Sequence, residues 1–236
     1  MKLLVLSDLH ENFDFERIDA DTHFDLLICL GDLYNIDHDG HDEINADIES
    51  IFATLLQTFK MTPHQVLFIP GNHDPEFCFD DGKQYKNATN LHLQSHKIKN
   101  IQMRGSGGSV DSYFVDKELL IWRGYPYSEA EMKINLQSTD KIDILLSHQG
   151  PSRFGTTDIN KLPLVEGKRI DGGSKEVRNW ILTNKPRLLI HGHTHFAKGM
   201  LNLGDTLVVN PGAYRDGYYC IINYLEDDIQ VEFKRV

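Results

Sequence analysis

Short apolar runs, each cut off by a polar cluster, set the rhythm of this chain. Runs rich in Leu, Ile and Val occupy residues 3–6, 26–30, 66–69, 119–122, 142–146 and 188–190, and later 206–209, 218–222 and 229–233. Runs of this length and composition are expected of strands covered on both faces. Between the second and third runs the period changes. Ile44, Ile48, Ile51, Phe52, Leu55, Leu56 and Phe59 follow spacings of three and four, which predicts a helix over 42–59 with Asp42 as its N-cap. A second helix is predicted over 174–183, with Val177, Trp180 and Ile181 facing inward and Pro186 just beyond its end. Strand–helix alternation in the first half, then closely spaced strands near the end, predicts an α/β domain with at least one sheet of mixed direction. The polar stretch 75–100 follows neither period and is long for a loop, so it is read as a lid or specificity element, beside the even alternative of a surface excursion.

Composition narrows the class. At 236 residues the chain suits a single domain over 1–236, and 40% hydrophobic with 25% charged residues is the balance of a water-soluble globular protein. No apolar run approaches the length of a membrane span, so no membrane partner is expected. The first run is broken by Asp8 and His10 before a signal-peptide core develops, and a buried strand is the better reading. Cys29, Cys78 and Cys220 show no paired spacing, which fits a reducing compartment and a cytoplasmic location. A net charge of −11 disfavours nucleic acid as a partner. An anionic substrate would then depend on local positive charge, which bound metal ions can supply.

The polar clusters that end the runs carry the chemistry. They are Asp8-Leu9-His10, Gly31-Asp32, Gly71-Asn72-His73-Asp74, His148 within Leu-Leu-Ser-His-Gln, and Gly192-His193-Thr194-His195. Each stands where a strand would end, and ligands of open α/β sheets gather at the carboxyl ends of strands. Gly31, Gly71 and Gly192 permit sharp turns and close approach. Two Asp, one Asn and four His exceed the needs of one ion and suit two. Oxygen and imidazole donors without thiolate favour Mn or Fe, with Zn, Co or Ni also suited, over Ca or Mg alone. Singly each cluster is weak; together, at equivalent places, they are specific.

With these five blocks in order over residues 8–195, the chain resembles a calcineurin-like metallophosphoesterase. Ser147-His148-Gln149-Gly150-Pro151, Asp171-Gly172-Gly173-Ser174 and Asn210-Pro211-Gly212 also resemble segments of the compact members. The resemblance implies a four-layer αββα sandwich, two mixed β-sheets flanked by helices. It implies one metal ion on Asp8, His10, Asp32 and His195, and a second on Asp32, Asn72, His148 and His193, with Asp32 shared. It implies in-line attack on phosphorus by a metal-bridging hydroxide. His73 would contact the phosphate and act as general acid, and Asp74 would orient its ring. Asn12 is a further candidate for the phosphate, beside the alternative of a turn residue. His191 is read as a packed strand residue, and His38 and His41 as part of a solvated rim loop. Arg104 and Arg123 lie near strand ends, with surface ion pairing as their default.

Departures from the family's branches narrow the substrate. Gly31-Asp32 continues as Leu33-Tyr34-Asn35 without the Arg of the Ser/Thr protein phosphatases, and the third block ends in Asp74 instead of Glu. The nuclease branch adds a DNA-facing domain for which no room is left after residue 195. A small soluble phosphoester is the expected substrate, a phosphodiester before a phosphomonoester, with nucleotides as one class. The reading outside enzymology is an inactive adaptor subunit of a protein complex, against which the presence of every motif His counts. Oligomeric state and native metal are not legible in the sequence.

Overall fold

The computed structural model describes residues 1–236 except 20–22, 39–43, 45, 81–83, 115–119 and 160–169. Its strands in chain order are β1 (Lys2–Leu6), β2 (Leu26–Cys29), β3 (Val66–Phe68), β4 (Thr89–Asn90), β5 (Ser95–Ile98), β6 (Ile101–Ser106), β7 (Ser112–Phe114) and β8 (Leu120–Trp122). They continue with β9 (Ile144–Ser147), β10 (Asp158–Ile159), β11 (Ile170–Asp171), β12 (Leu188–His191), β13 (Gly199–Leu203), β14 (Thr206–Asn210), β15 (Tyr218–Tyr224) and β16 (Ile229–Arg235). Among the described residues three α-helices accompany them, α1 (Ile48–Phe59), α2 (Glu129–Asn135) and α3 (Lys175–Asn184).

Two six-stranded sheets form, ordered β16-β15-β1-β2-β3-β4 and β13-β14-β12-β9-β6-β5, with a smaller sheet β10-β11-β7-β8. In the first, β1 through β4 run parallel, β15 runs antiparallel to β1, and β16 antiparallel to β15. In the second, β14, β12, β9 and β6 run parallel between antiparallel edges β13 and β5.

Alternation along the strands builds the layers. Leu3, Val5, Ile28 and Leu67 of the first sheet pack with Ile144, Leu146, Leu188, Ile190 and Val209 of the second, forming the core between the sheets. The alternate residues Leu4, Leu6, Leu27, Cys29 and Phe68 face outward and are covered by Ile48, Ile51, Phe52 and Leu55 of α1. On the far side, Leu145, Leu189 and Val208 are covered by Met132 of α2 and by Val177 and Ile181 of α3. Helix, sheet, sheet, helix is the αββα sandwich expected, with mixed strand direction in both sheets.

Some expectations are corrected. The first helix is capped by Asp47, whose side chain accepts from the Ser50 amide, and starts at Ile48. Asp42, the expected cap, and Leu119, the expected start of a strand, lie outside the described residues. The described residues of the stretch 75–100 form a 3-10 turn at Glu76–Phe79, then β4 and β5, which are edge strands of the two large sheets. No helix among the described residues is long and apolar enough to cross a membrane.

Candidate metal centre

Five loops meet at the carboxyl ends of β1, β2, β3, β9 and β12, and backbone bonds join them. The Asp8 amide donates to Gly31 O (3.1 Å), the His10 amide to Asp32 O (2.8 Å) and the His148 amide to Ser106 O (3.0 Å). Close approach explains two of the glycines. A Cβ on Gly71 would overlap the Asp32 carboxylate, and one on Gly192 the Ser7 hydroxyl. Asp8, His10, Asp32 and His193 all hold positive φ, at 54°, 47°, 50° and 63°. Non-glycine residues adopt this region at a cost, and such strain concentrates at functional sites.

Donor atoms of Asp8, His10, Asp32 and His195 all lie within 4.8 Å of one another. His10 Nε2 stands 3.2 Å from His195 Nε2 and 3.5 Å from Asp32 Oδ2, and His195 Nε2 is 3.3 Å from Asp8 Oδ1. Beside this group, Asn72 Oδ1 lies 3.0 Å from His148 Nε2 and 2.7 Å from His193 Nδ1, while Asp32 Oδ2 is 3.4 Å from His148 Nε2. Asp32 therefore touches both groups. All seven ligands proposed from the sequence converge.

The far nitrogens show which atoms remain to bind. His10 Nδ1–H donates to Asn35 Oδ1 at 2.7 Å, and His148 Nδ1–H donates to Leu30 O at 2.6 Å. In a neutral ring the nitrogen that donates leaves its partner with a lone pair, so Nε2 of both rings is the atom left for a metal ion once its proton is gone. Carboxylate oxygens, an amide oxygen and imidazole nitrogens thus converge. Asp8 Oδ2 is buried without a hydrogen-bond partner. An orphaned carboxylate oxygen in such company fits a metal ion, since buried polar atoms otherwise find partners. The residues present fit two ions on the donor sets named above.

Electrostatics in the metal-free chain agree. Burial alone would raise the Asp8 and Asp32 carboxyls, but His195 beside Asp8, and His148 beside Asp32, hold both well below the usual range. Burial would likewise lower His148, yet the Asp32 carboxylate pushes it up to about 9. His193 is lowered to about 3 by burial and then by His148.

Other expectations divide. His73 Nδ1–H donates to Ile36 O at 2.9 Å, so the ring is oriented by a backbone carbonyl and not by Asp74. Asp74 is fully buried and accepts from three amides, Leu33 (2.7 Å), Tyr34 (3.2 Å) and Gly71 (2.7 Å), tying the second and third loops together. Burial and the Asp32 charge push its carboxyl up to about 7, against those amides, which favour the anion. Asn12 Oδ1 accepts from the Asp14 amide at 3.4 Å, and Asn12 is not among the described residues lining the cavity at the centre. Arg104 donates to Asn135 O at 2.7 Å and is a structural clamp. His191 is buried at the end of β12, where Nε2 meets Thr156 Oγ1 at 2.8 Å, and burial lowers it to about 4. His38 belongs to the site wall: its Nε2–H donates to Asn72 O at 2.9 Å and its ring stacks on Tyr125 at 3.4 Å. His41 lies outside the described residues.

Asn35, Tyr125 and Phe196 escaped the sequence reading. Asn35 carried a signal, since it stands where the protein phosphatases have their Asp-Arg-Gly continuation. Tyr125 and Phe196 carried none.

Comparison with known proteins agrees with this geometry. Over 217 residues the chain is 29% identical to an uncharacterized protein, MJ1162, of Methanocaldococcus jannaschii, covering 89% of this chain and 88% of that one. One crystal structure aligns over 99% of this chain and 98% of its own with a TM-score of 0.70 and 18% identity. The TT1561 protein of Thermus thermophilus aligns over 98% of this chain and 97% of its own, with a TM-score of 0.61 and 18% identity. At these identities the two structures speak for the fold. The model of the calcineurin-like phosphoesterases matches residues 1–197, a span that holds all five ligand-bearing loops, and the chain belongs to that family.

Proposed function

We propose that the protein is a dinuclear metal-dependent phosphoester hydrolase, and a phosphodiesterase acting on a small soluble substrate. The observation that carries this reading is the convergence of carboxylate, amide and imidazole donors at a site that also leaves Asp8 Oδ2 buried without a partner. Asp8, His10, Asp32 and His195 would hold one ion, and Asp32, Asn72, His148 and His193 the other. When bound, such ions supply Lewis-acid charge to phosphoryl oxygens and lower the pKa of water.

The chain's own contribution lies in positioning and proton transfer. His73 lines the cavity at the metal centre. With Nδ1 fixed on Ile36 O, Nε2 is the atom left to pass a proton to a leaving oxygen. A proton donor matters most for a poor alkoxide leaving group, which supports diester hydrolysis over monoester hydrolysis. Asn72, shared between the donor cluster and the cavity lining, is placed to hold a phosphoryl oxygen.

Protein loaded with Mn should hydrolyse bis(para-nitrophenyl) phosphate faster than para-nitrophenyl phosphate. Two bound metal ions without turnover of either would overturn the enzyme reading in favour of an adaptor. His73→Ala, with both metals retained by elemental analysis, should lose about 100-fold or more on a diester with an alkyl leaving group. Unchanged turnover of that diester would remove the acid role.

A further inference from the structure

A cavity of about 750 Å³ opens from the metal centre. That volume suits a drug-sized ligand and far exceeds a phosphate group. One wall is the donor cluster, with Asp32, Asn72, His193 and His195. The lining also includes Arg123, Tyr125 and Phe196, none of which the metals need.

These three differ from ordinary lining residues. Phe196 follows a metal-ligand candidate directly, yet is 50% exposed. An apolar ring left open beside a polar centre gains from being covered. Tyr125 is stacked on His38, with ring planes 15° apart, which fixes its ring at the cavity lining. Arg123 is the one Lys or Arg among the described residues lining the cavity, and it makes no hydrogen bond or ion pair with a described residue. Direction is set by charge. Beyond Tyr125 and His38 lies a second cavity, lined by Glu76 and Asp80, whose carboxylates repel an anion. The cavity at the metal centre also carries a carboxylate, Asp37, but Arg123 stands in it to offset that charge, whereas the described residues lining the second cavity include no Lys or Arg.

We infer that Arg123, Tyr125 and Phe196 form a subsite for the organic half of the substrate, and that this half is a nucleoside. The inference rests on the reading that a phosphoester sits at the donor cluster. The phosphate lies there, the planar base lies against the open ring of Phe196, Tyr125 bounds the cavity, and Arg123 offsets the ligand's negative charge. Stacking on an aromatic face suits any base, because every base has a π face, so the subsite selects nucleotides without selecting strongly among them.

Calorimetric titration of the Mn-loaded protein with inorganic phosphate and with adenosine monophosphate tests this. The nucleotide should bind about fivefold tighter or more, the factor that one stacking contact supplies. The ratio of the two affinities should fall by about the same factor in Phe196→Ala, and hold in Phe196→Tyr, which keeps the ring. A nucleotide no tighter than phosphate, or a ratio unmoved in Phe196→Ala, overturns the subsite. The two readings fail separately. Turnover of bis(para-nitrophenyl) phosphate with equal affinities leaves the hydrolase and removes the subsite. Tighter nucleotide binding without turnover does the reverse.

Discussion

At the scale of single residues, the ligands were legible because each is an interruption. Asp8, Asp32, Asn72, His148 and His193 break or follow an apolar run, and a polar group there needs a partner. The residues that aim them were not legible, because their contacts join loops distant in sequence. Asn35 is the clearest case. Its Oδ1 accepts from His10 Nδ1, and its Nδ2 donates to His10 O at 3.3 Å and to Glu11 Oε2 at 3.4 Å. It fixes both the tautomer and the loop that carries the ligand. Outer partners of this kind govern metal affinity about 10- to 100-fold. Asn35→Ala should weaken Mn binding by that factor, measured by titration, while the metal-free unfolding midpoint moves little. An unchanged Mn affinity would show that the ring holds its orientation without Asn35. Asp74 corrected the reading in the other direction. A carboxylate next to His73 in sequence looked like its orienting partner, but three amides of two loops claim it.

At the scale of elements, buried strands and amphipathic helices were readable, and among the edge strands of the two large sheets only β16 was. Both faces of β1, β2 and β12 are covered, so their sequences are continuously apolar. By contrast β5 (Ser-His-Lys-Ile) and β13, with exposed Met200, Leu201 and Asn202, lie at sheet edges and carry no such pattern. Helix α2 was missed because it is seven residues long and buries mainly Met132. Its first residue explains its place. Glu129 accepts from Ser174 Oγ (2.6 Å) and from the Lys175 amide (2.8 Å), so one helix satisfies the amino end of another. Ser174 Oγ in turn accepts from the Glu176 and Val177 amides at 3.1 and 3.2 Å. Ser174→Ala removes the cap and leaves Glu129 short of a donor. It should cost about 1–2 kcal/mol in urea unfolding, without change in metal content. A loss below about 0.3 kcal/mol would mean that Glu129 alone satisfies the helix end.

At the scale of the whole molecule, the donors come from both large sheets. Asp8, Asp32 and Asn72 follow strands of the first, and His148, His193 and His195 follow strands of the second. Metal ions held there would join the two halves of the sandwich, so binding is also stabilisation, worth about 2.7 kcal/mol at a free concentration 100-fold above Kd. Protons compete for the same atoms. In the metal-free chain the Asp32 carboxylate outweighs burial and pushes His148 up to about 9, and Asp8 likewise raises His195. A histidine raised in the folded state stabilises that state fully below its unfolded pKa, near 6.5, and ceases to do so as pH rises through the folded value. The metal-free protein should therefore lose stability between about pH 6.5 and 9. Metal binding displaces those protons and strengthens over the same interval. The gap in Tm between Mn-loaded and chelator-treated protein should widen steadily across that window, with proton release on Mn addition falling as pH approaches 9. A gap independent of pH would show that His148 is already neutral before the metal arrives, and that the ion enters a site cleared of protons.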